Sequence, residues 1–122
     1  MKLKLPERRR FVRIDIPLKI VIENGGITDE VLTKNISPVG LRFGIPRELK
    51  KDEPLKITLY LPEGNTPIGL DAKIIWQIKT SLEDKAPYDV GVEIVSIEED
   101  CKNTFLKYLC DLLYKSTYKE RE

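Results

Sequence analysis

Apolar and polar residues alternate along most of the chain, which is the pattern of half-buried β-strands. The first run covers residues 12–22 and is interrupted by Pro17, which predicts an edge position or a bulge there. Later runs predict strands at about 28–36, 41–45, 55–61, 70–78 and 90–94. Turn-forming residues separate the runs, as in "ENGG" at 23–26, where glycine accepts the positive φ of a hairpin. The alternation therefore predicts about six strands.

The end of the chain has helical spacing instead. Apolar residues recur three or four positions apart at Cys101, Phe105, Leu109, Leu112 and Leu113. Ser96 followed by Glu99 matches a capping box, so we predict a helix over about 97–115 and a frayed tail over 116–122. Short strands with one terminal helix are typical of a mostly β protein, a six-stranded antiparallel β-barrel with a C-terminal α-helix.

Trp76 falls on the apolar side of the fifth alternating run. A residue in register with a buried face is expected in the core, and we predict that position for Trp76 rather than an exposed platform for base stacking.

The composition narrows the possible functions. The 122 residues suit one domain, and the absence of histidine removes the usual catalytic triads and histidine-ligated metals. Cys101 and Cys110 are the only cysteines and lie nine positions apart on the predicted helix, so they neither pair with each other nor form a zinc site. No long apolar run suggests a signal peptide or a membrane span. We therefore expect a cytoplasmic protein that is not an enzyme, contains no metal and has no cofactor.

Positive charge is concentrated at the N-terminus. The first 13 residues contain six basic residues and one acidic residue, so this segment carries +5 and the remainder −4 of the total of +1. Arginine binds phosphate bidentately, pairs with the O6 and N7 acceptors of guanine and stacks on bases. The run "ERRRFVR" at 7–13 thus indicates a phosphate-bearing or guanine-bearing ligand, although a solubilising basic tail would have the same composition.

A second motif, "NISPVG" at 35–40, lies between two predicted strands. Asn35 offers an amide that donates and accepts, Ser37 offers a hydroxyl, Pro38 stiffens the turn, and Gly40 allows a ligand or the backbone to come close. Taken alone, this is also an ordinary turn.

Together the two motifs resemble those of the PilZ domains, which are receptors for the bacterial second messenger cyclic di-GMP. The family has R-x-x-x-R near the start of its barrel and [D/N]-x-S-x-x-G some twenty to thirty residues later, and the segments 9–13 and 35–40 match both. Later strands are similar as well, in "GLRF" at 40–43, "AKIIW" at 72–76 and "YDVGVEIVSI" at 88–97. The resemblance covers about residues 7–113.

The resemblance implies roles for five residues. Arg9 and Arg13 would grip the guanine edges and phosphates of cyclic di-GMP, partly by stacking. Asn35 and Ser37 would hydrogen-bond the guanine base and a nearby phosphate, and Gly40 would allow close approach. The family more often has Asp at the position of Asn35, and this exchange bears on affinity more than on function.

Arg8 and Arg10 flank the first arginine of the motif. In the family a basic residue at the position of Arg8 goes with a stacked pair of ligand molecules, and an extra cation suits the four phosphates of such a pair. Arg10 either joins the phosphate contacts or faces water.

The sequence therefore predicts a stand-alone cyclic di-GMP receptor with no membrane insertion. Its basic arm, residues 1–13, is expected to be flexible without ligand and to order on binding, so that the barrel and helix, residues 12–115, present a changed surface to an unidentified downstream protein. One alternative is a small barrel that binds single-stranded nucleic acid through its arm, although nucleic acid is not the expected partner. Another is a PilZ-like assembly adaptor that binds no nucleotide.

Overall fold

The computed structural model describes residues 13–63, 66–80 and 85–121 of the chain. The described part contains β-strands β1 (Lys19–Asn24), β2 (Ile27–Ser37), β3 (Gly40–Ile45), β4 (Leu55–Leu61), β5 (Thr66–Lys79) and β6 (Tyr88–Ile97). A short 3-10 turn, Glu99–Cys101, then leads into one α-helix, α1 (Lys102–Arg121).

The six strands form a closed barrel. Their order around it is β1, β2, β3, β6, β5, β4, and β4 pairs again with β1, so every described strand has a partner on both sides. All pairings are antiparallel. The predicted six-stranded antiparallel barrel with a C-terminal helix is confirmed.

The barrel interior is filled by the alternating apolar residues of its strands. In β4 every second residue from Leu55 to Leu61 is buried, and β1 buries Ile20 and Ile22 completely. Since one face of each strand lies in the core and the other meets water, the period of two in the sequence predicts this burial directly.

The hairpin between β1 and β2 turns at Gly25 and Gly26, whose φ angles are 63° and 80°. Glycine adopts such positive φ without strain, as the predicted turn required. The preceding Asn24 is buried, and its amide nitrogen donates to the carbonyl oxygens of Lys50 (3.1 Å) and Pro54 (3.2 Å). Its Oδ1 accepts from the Lys50 N–H at 2.8 Å, so one side chain holds the loop before β4.

The start of the helix differs from the prediction. Ser96 belongs to β6, where it lies opposite Asp71, and its hydroxyl donates to the Asp71 carboxylate at 3.0 Å. It therefore does not cap the helix, and Glu98, which does precede the 3-10 turn, makes no side-chain capping bond. The predicted capping box is wrong because β6 continues further than its apolar alternation suggested. The helix begins at Lys102 and extends past the predicted end at 115 to Arg121.

Helix α1 packs on the barrel through its apolar face. Phe105 and Leu109 are fully buried in the common core, and Leu112 packs partly against it. Among the described residues, no helix has the combination of length and apolar character that crossing a membrane requires.

The first strand is shorter than its alternation predicted. Regular pairing begins at Lys19, whereas Ile14 forms a single bridge to Ile36 of β2. Leu18 lies opposite Thr33 of β2. Between these two paired positions, the N-terminal segment has three residues, 15–17, where β2 has only two, 34 and 35. The predicted irregularity at Pro17 is thus present as one extra residue in this strand.

Candidate functional site

The bridge between Ile14 and Ile36 brings the two sequence motifs together. The Ile14 N–H donates to the Ile36 carbonyl at 2.8 Å, and the Ile36 N–H donates to the Ile14 carbonyl at 2.9 Å. Neighbours of directly paired residues in an antiparallel ladder lie beside each other, so Arg13 lies beside Ser37 at the end of β2. The Arg13 side chain is exposed. The last arginine of the first motif therefore lies at the turn that forms the second.

Ser37 organises the turn between β2 and β3. The residue is only 3% exposed, and its side-chain oxygen accepts the N–H groups of Val39 and Gly40, both at 3.2 Å. The Val39 carbonyl in turn accepts from the Ile94 N–H of β6 at 2.8 Å. In both of its bonds the Ser37 oxygen is the acceptor, so neither of them uses the hydroxyl proton.

Gly40 allows β3 to approach β6 closely. A Cβ at this position would lie 2.5 Å from the Val92 carbonyl oxygen, closer than side-chain carbons come to backbone oxygens. The structure therefore accounts for this glycine by backbone packing, one of the two reasons the sequence suggested.

Asn35 is half-buried on β2, directly opposite Arg42 of β3. Within the described part of the chain its side-chain amide makes no hydrogen bond to another residue. Its two donors and its acceptor oxygen therefore remain available two residues before Ser37, which lies beside Arg13.

Arg42 is held by a bidentate ion pair that the sequence analysis did not predict. Its Nε donates to both Asp89 oxygens (3.1 and 3.2 Å), and its Nη2 donates to Asp89 Oδ2 at 2.6 Å. Lys34 adds a weaker contact to the same carboxylate at 3.4 Å. Arg42 and Asp89 are 47 positions apart and meet because β3 pairs with β6, which the local pattern of residues does not reveal.

This network perturbs the pKa values of both main partners. The hydrogen bond from Arg42 holds the pKa of Asp89 below its usual value, and the charge of Lys34 contributes, while burial opposes the shift. The Asp89 hydrogen bond and charge raise the pKa of Arg42, and Asp15 adds to this rise. Both groups are therefore charged at neutral pH, and the surface beside Asn35 carries a fixed guanidinium.

Trp76 lies on the outer face of the barrel, so its predicted position in the core is wrong. The β5–β6 register shifts between Ile74 and Trp76, which leaves Ile75 as an extra residue and turns Trp76 to the opposite face. Its ring covers Gly91, where a Cβ would collide with the indole. The Arg42 guanidinium carbon lies 5.8 Å from the ring centroid. Gly91, in the middle of a valine-rich strand, was the sequence signal for such a close approach.

The predicted ligand residues are thus only partly described. Arg13, Asn35, Ser37 and Gly40 lie together around the end of β2 and the turn that follows it. Arg8, Arg9 and Arg10 lie outside the described residues.

The four residues differ in exposure: Arg13 is exposed, Asn35 and Gly40 are half-buried, and Ser37 is buried. Four cavities of about 180 to 260 Å³ are present in the described part of the chain, and none of the four is lined by Arg13, Asn35, Ser37 or Gly40. A ligand held here would lie across the outer face of the barrel.

The described residues thus form a small closed barrel in which the last arginine of the first motif lies beside the N-x-S-x-x-G turn. The sequence model of the PilZ domain matches residues 7–110, and the chain belongs to the PilZ domain family. No curated protein sequence gives a significant match.

Solved structures share the fold at low sequence identity. The PilZ domain of YcgR from Escherichia coli with c-di-GMP aligns with a TM-score of 0.66 at 15% identity, over 94% of this chain and 98% of that one. The Bacillus subtilis inhibitor of motility MotI/DgrA aligns with a TM-score of 0.70 at 20% identity, over 88% of this chain and 52% of that one. The K. pneumonia MrkH–c-di-GMP complex aligns at 0.64 and 23% identity, over 92% and 55%. The chain thus spans about half the length of MotI/DgrA and MrkH.

Proposed function

We propose that this chain is a receptor for cyclic di-GMP, which binds across the outer face of the barrel at the end of β2. The observation that carries the proposal is the backbone bridge between Ile14 and Ile36, which brings Arg13 beside the turn of the second motif. YcgR and MrkH, which have the same fold, were solved with c-di-GMP.

The chemistry of the described residues suits a cyclic dinucleotide. Arg13 would pair with a phosphate or with the acceptor edge of guanine. The Asn35 amide, which has no partner among the described residues, would hydrogen-bond the base, and the Ser37 hydroxyl proton would complete a contact to the ligand. The Trp76 ring and the Arg42 guanidinium beside it offer an apolar and cationic surface on which a base would stack.

Arg8, Arg9 and Arg10 are included in the proposal only because they lie in or beside the first sequence motif. Arg9 would supply the second cationic fork, Arg8 would favour a stacked pair of ligand molecules, and Arg10 would join the phosphate contacts. These three residues lie outside the described part of the chain.

We also propose how the signal leaves the domain. The arm of residues 1–13, with its charge of +5, would become ordered over the bound anion and present a new surface to a partner protein. Because like charges in the arm repel each other, the phosphates of a bound ligand would neutralise this repulsion and favour ordering of the arm.

Isothermal titration calorimetry with cyclic di-GMP tests the receptor assignment, with GTP as the ligand control. A dissociation constant of about 1 μM would correspond to a binding free energy of about −8 kcal/mol. We expect Arg13→Ala to weaken binding at least about tenfold, or 1.4 kcal/mol, because it removes a charge-assisted contact. Lys102→Ala is the matched control, since it removes one positive charge from the exposed start of α1.

Two outcomes would contradict the assignment. One is equal affinity of the wild-type protein and Arg13→Ala for cyclic di-GMP. The other is binding of a single-stranded oligonucleotide that cyclic di-GMP does not displace, which would favour a nucleic-acid-binding barrel instead.

A further inference from the structure

The segment between the Arg13 motif and β1 is attached to β2 by a few backbone hydrogen bonds and by one buried side chain. Within the described residues, backbone-to-backbone bonds between 14–18 and β2 occur only at the Ile14–Ile36 bridge and where the Leu18 carbonyl accepts the Thr33 N–H at 2.9 Å. Pro17 lies between these points and has no N–H to donate. The extra residue on this side of the ladder leaves the groups around Pro17 out of register with the backbone of β2.

The Thr33 hydroxyl supplies the hydrogen-bond partner for the backbone groups on both sides of Pro17. Its Oγ1 accepts from the Leu18 N–H at 2.8 Å and donates to the Ile16 carbonyl at 2.6 Å. The side chain is 3% exposed, so water does not compete for either bond. With its own N–H, this one residue makes three hydrogen bonds to the two residues that flank Pro17.

We propose that Thr33 is a positioning residue for the ligand site, whose hydroxyl clasps the segment 16–18 and thereby sets where Arg13 leaves the barrel surface. The inference rests on the proposed function, because the affinity it predicts is affinity for cyclic di-GMP. Thr33 itself is buried and two residues before Asn35, so it acts through the backbone of 14–18 and not by touching the ligand.

The strand pairing of the barrel does not include these hydroxyl bonds, although Leu18 is itself buried in the core. The β1–β2 ladder from Lys19 to Asn24 is complete, while Ile14 and Ile16 pack only partly against the core. Loss of the hydroxyl should therefore loosen residues 14–17 locally, while the Leu18 side chain stays in the core and the six-stranded barrel remains intact. Serine would preserve both bonds, whereas valine has a similar shape but leaves the Leu18 N–H and the Ile16 carbonyl unpaired.

The test combines amide hydrogen exchange without ligand and calorimetric titration with cyclic di-GMP. Thr33→Val should speed exchange of the Ile14 and Leu18 amides about tenfold and leave the Leu59 amide of β4 unchanged. It should also weaken binding about tenfold, and Thr33→Ser should restore both properties. Thr58→Val, on β4, is the matched control, and Thr33→Ala serves as a second variant without the hydroxyl should valine unfold the barrel.

A double-mutant cycle shows whether Thr33 acts through Arg13. The variant that combines Thr33→Val and Arg13→Ala should bind no more weakly than Arg13→Ala alone. Full additivity, unchanged affinity in Thr33→Val, or a serine variant as weak as valine would each overturn the inference. Unchanged exchange at Ile14 in Thr33→Val would overturn it without reference to any ligand. Failure of the wild-type protein to bind cyclic di-GMP would instead contradict the proposed function.

Discussion

Substitution of Asp89 by asparagine tests the ion pair that fixes Arg42 beside the proposed site. The change keeps the shape of the side chain and removes the charge that accepts three hydrogen bonds from Arg42. The Asp89 side chain is 9% exposed, so its bonds to a charged partner should contribute about 1.5–3 kcal/mol to stability. Lys34 is 48% exposed, and its contact should add less than about 1 kcal/mol.

We therefore expect Asp89→Asn to lower the free energy of unfolding by about 2 kcal/mol at pH 7, which moves the urea midpoint by roughly 1 M. Fluorescence of Trp76, the single tryptophan, reports the transition. Asp71→Asn is the matched control, because the Asp71 carboxylate pairs with Lys56 at an exposed position and its loss should cost less than about 1 kcal/mol.

The pH dependence gives a second, independent readout. Since the pKa of Asp89 is lowered in the folded protein, its ion pair stabilises the fold fully above the unfolded pKa of about 3.9. This stability is lost as the pH falls through the lower folded pKa, so the difference between wild type and Asp89→Asn should be clearly smaller at about pH 3 than at pH 7. A difference below about 0.5 kcal/mol at pH 7, or one of equal size at both pH values, would refute the reasoning.

Two further substitutions test the packing around the site and the fold. Gly91→Ala places a Cβ against the Trp76 ring, so we expect the free energy of unfolding to fall by about 1–3 kcal/mol. The tryptophan emission should shift to the red as the ring moves outward. Unchanged emission would contradict the close contact. Asn24→Ala removes the hydrogen bonds to Lys50 and Pro54 and should lower the free energy of unfolding, measured in urea, by about 2–4 kcal/mol. A decrease under about 1 kcal/mol would show that the Asn24 side chain is not needed to keep the loop before β4 in place.

The alternation of apolar residues predicted the barrel because each strand has one face in the core and one in water. The alternation gave the wrong face for a side chain where the strand register shifts. One extra residue, Ile75, turns Trp76 outward, and a period of two carries no sign of the insertion. The start of the helix was missed for a related reason, because Ser96 is paired with Asp71 in β6 and is not available as a cap.

The geometry of the candidate site was predictable to the extent that it is local. Ser37 and Gly40 form the turn that their side chain and backbone requirements suggest, and Asn35 lies two residues before it in β2. The contacts of Arg42 with Asp89 and Trp76 join residues that are distant in sequence, so they follow from the pairing of β3, β6 and β5 and not from any local pattern.

The central claim is that cyclic di-GMP binds where the two motifs meet, and an NMR titration of the ¹⁵N-labelled protein tests it most directly. We expect the largest chemical-shift changes at the backbone amides of Arg13, Ile14 and the non-proline residues of 35–40, together with the Trp76 indole N–H. Saturable binding that leaves these signals unchanged and instead moves those of the β1–β2 hairpin, residues 23–26, would contradict it.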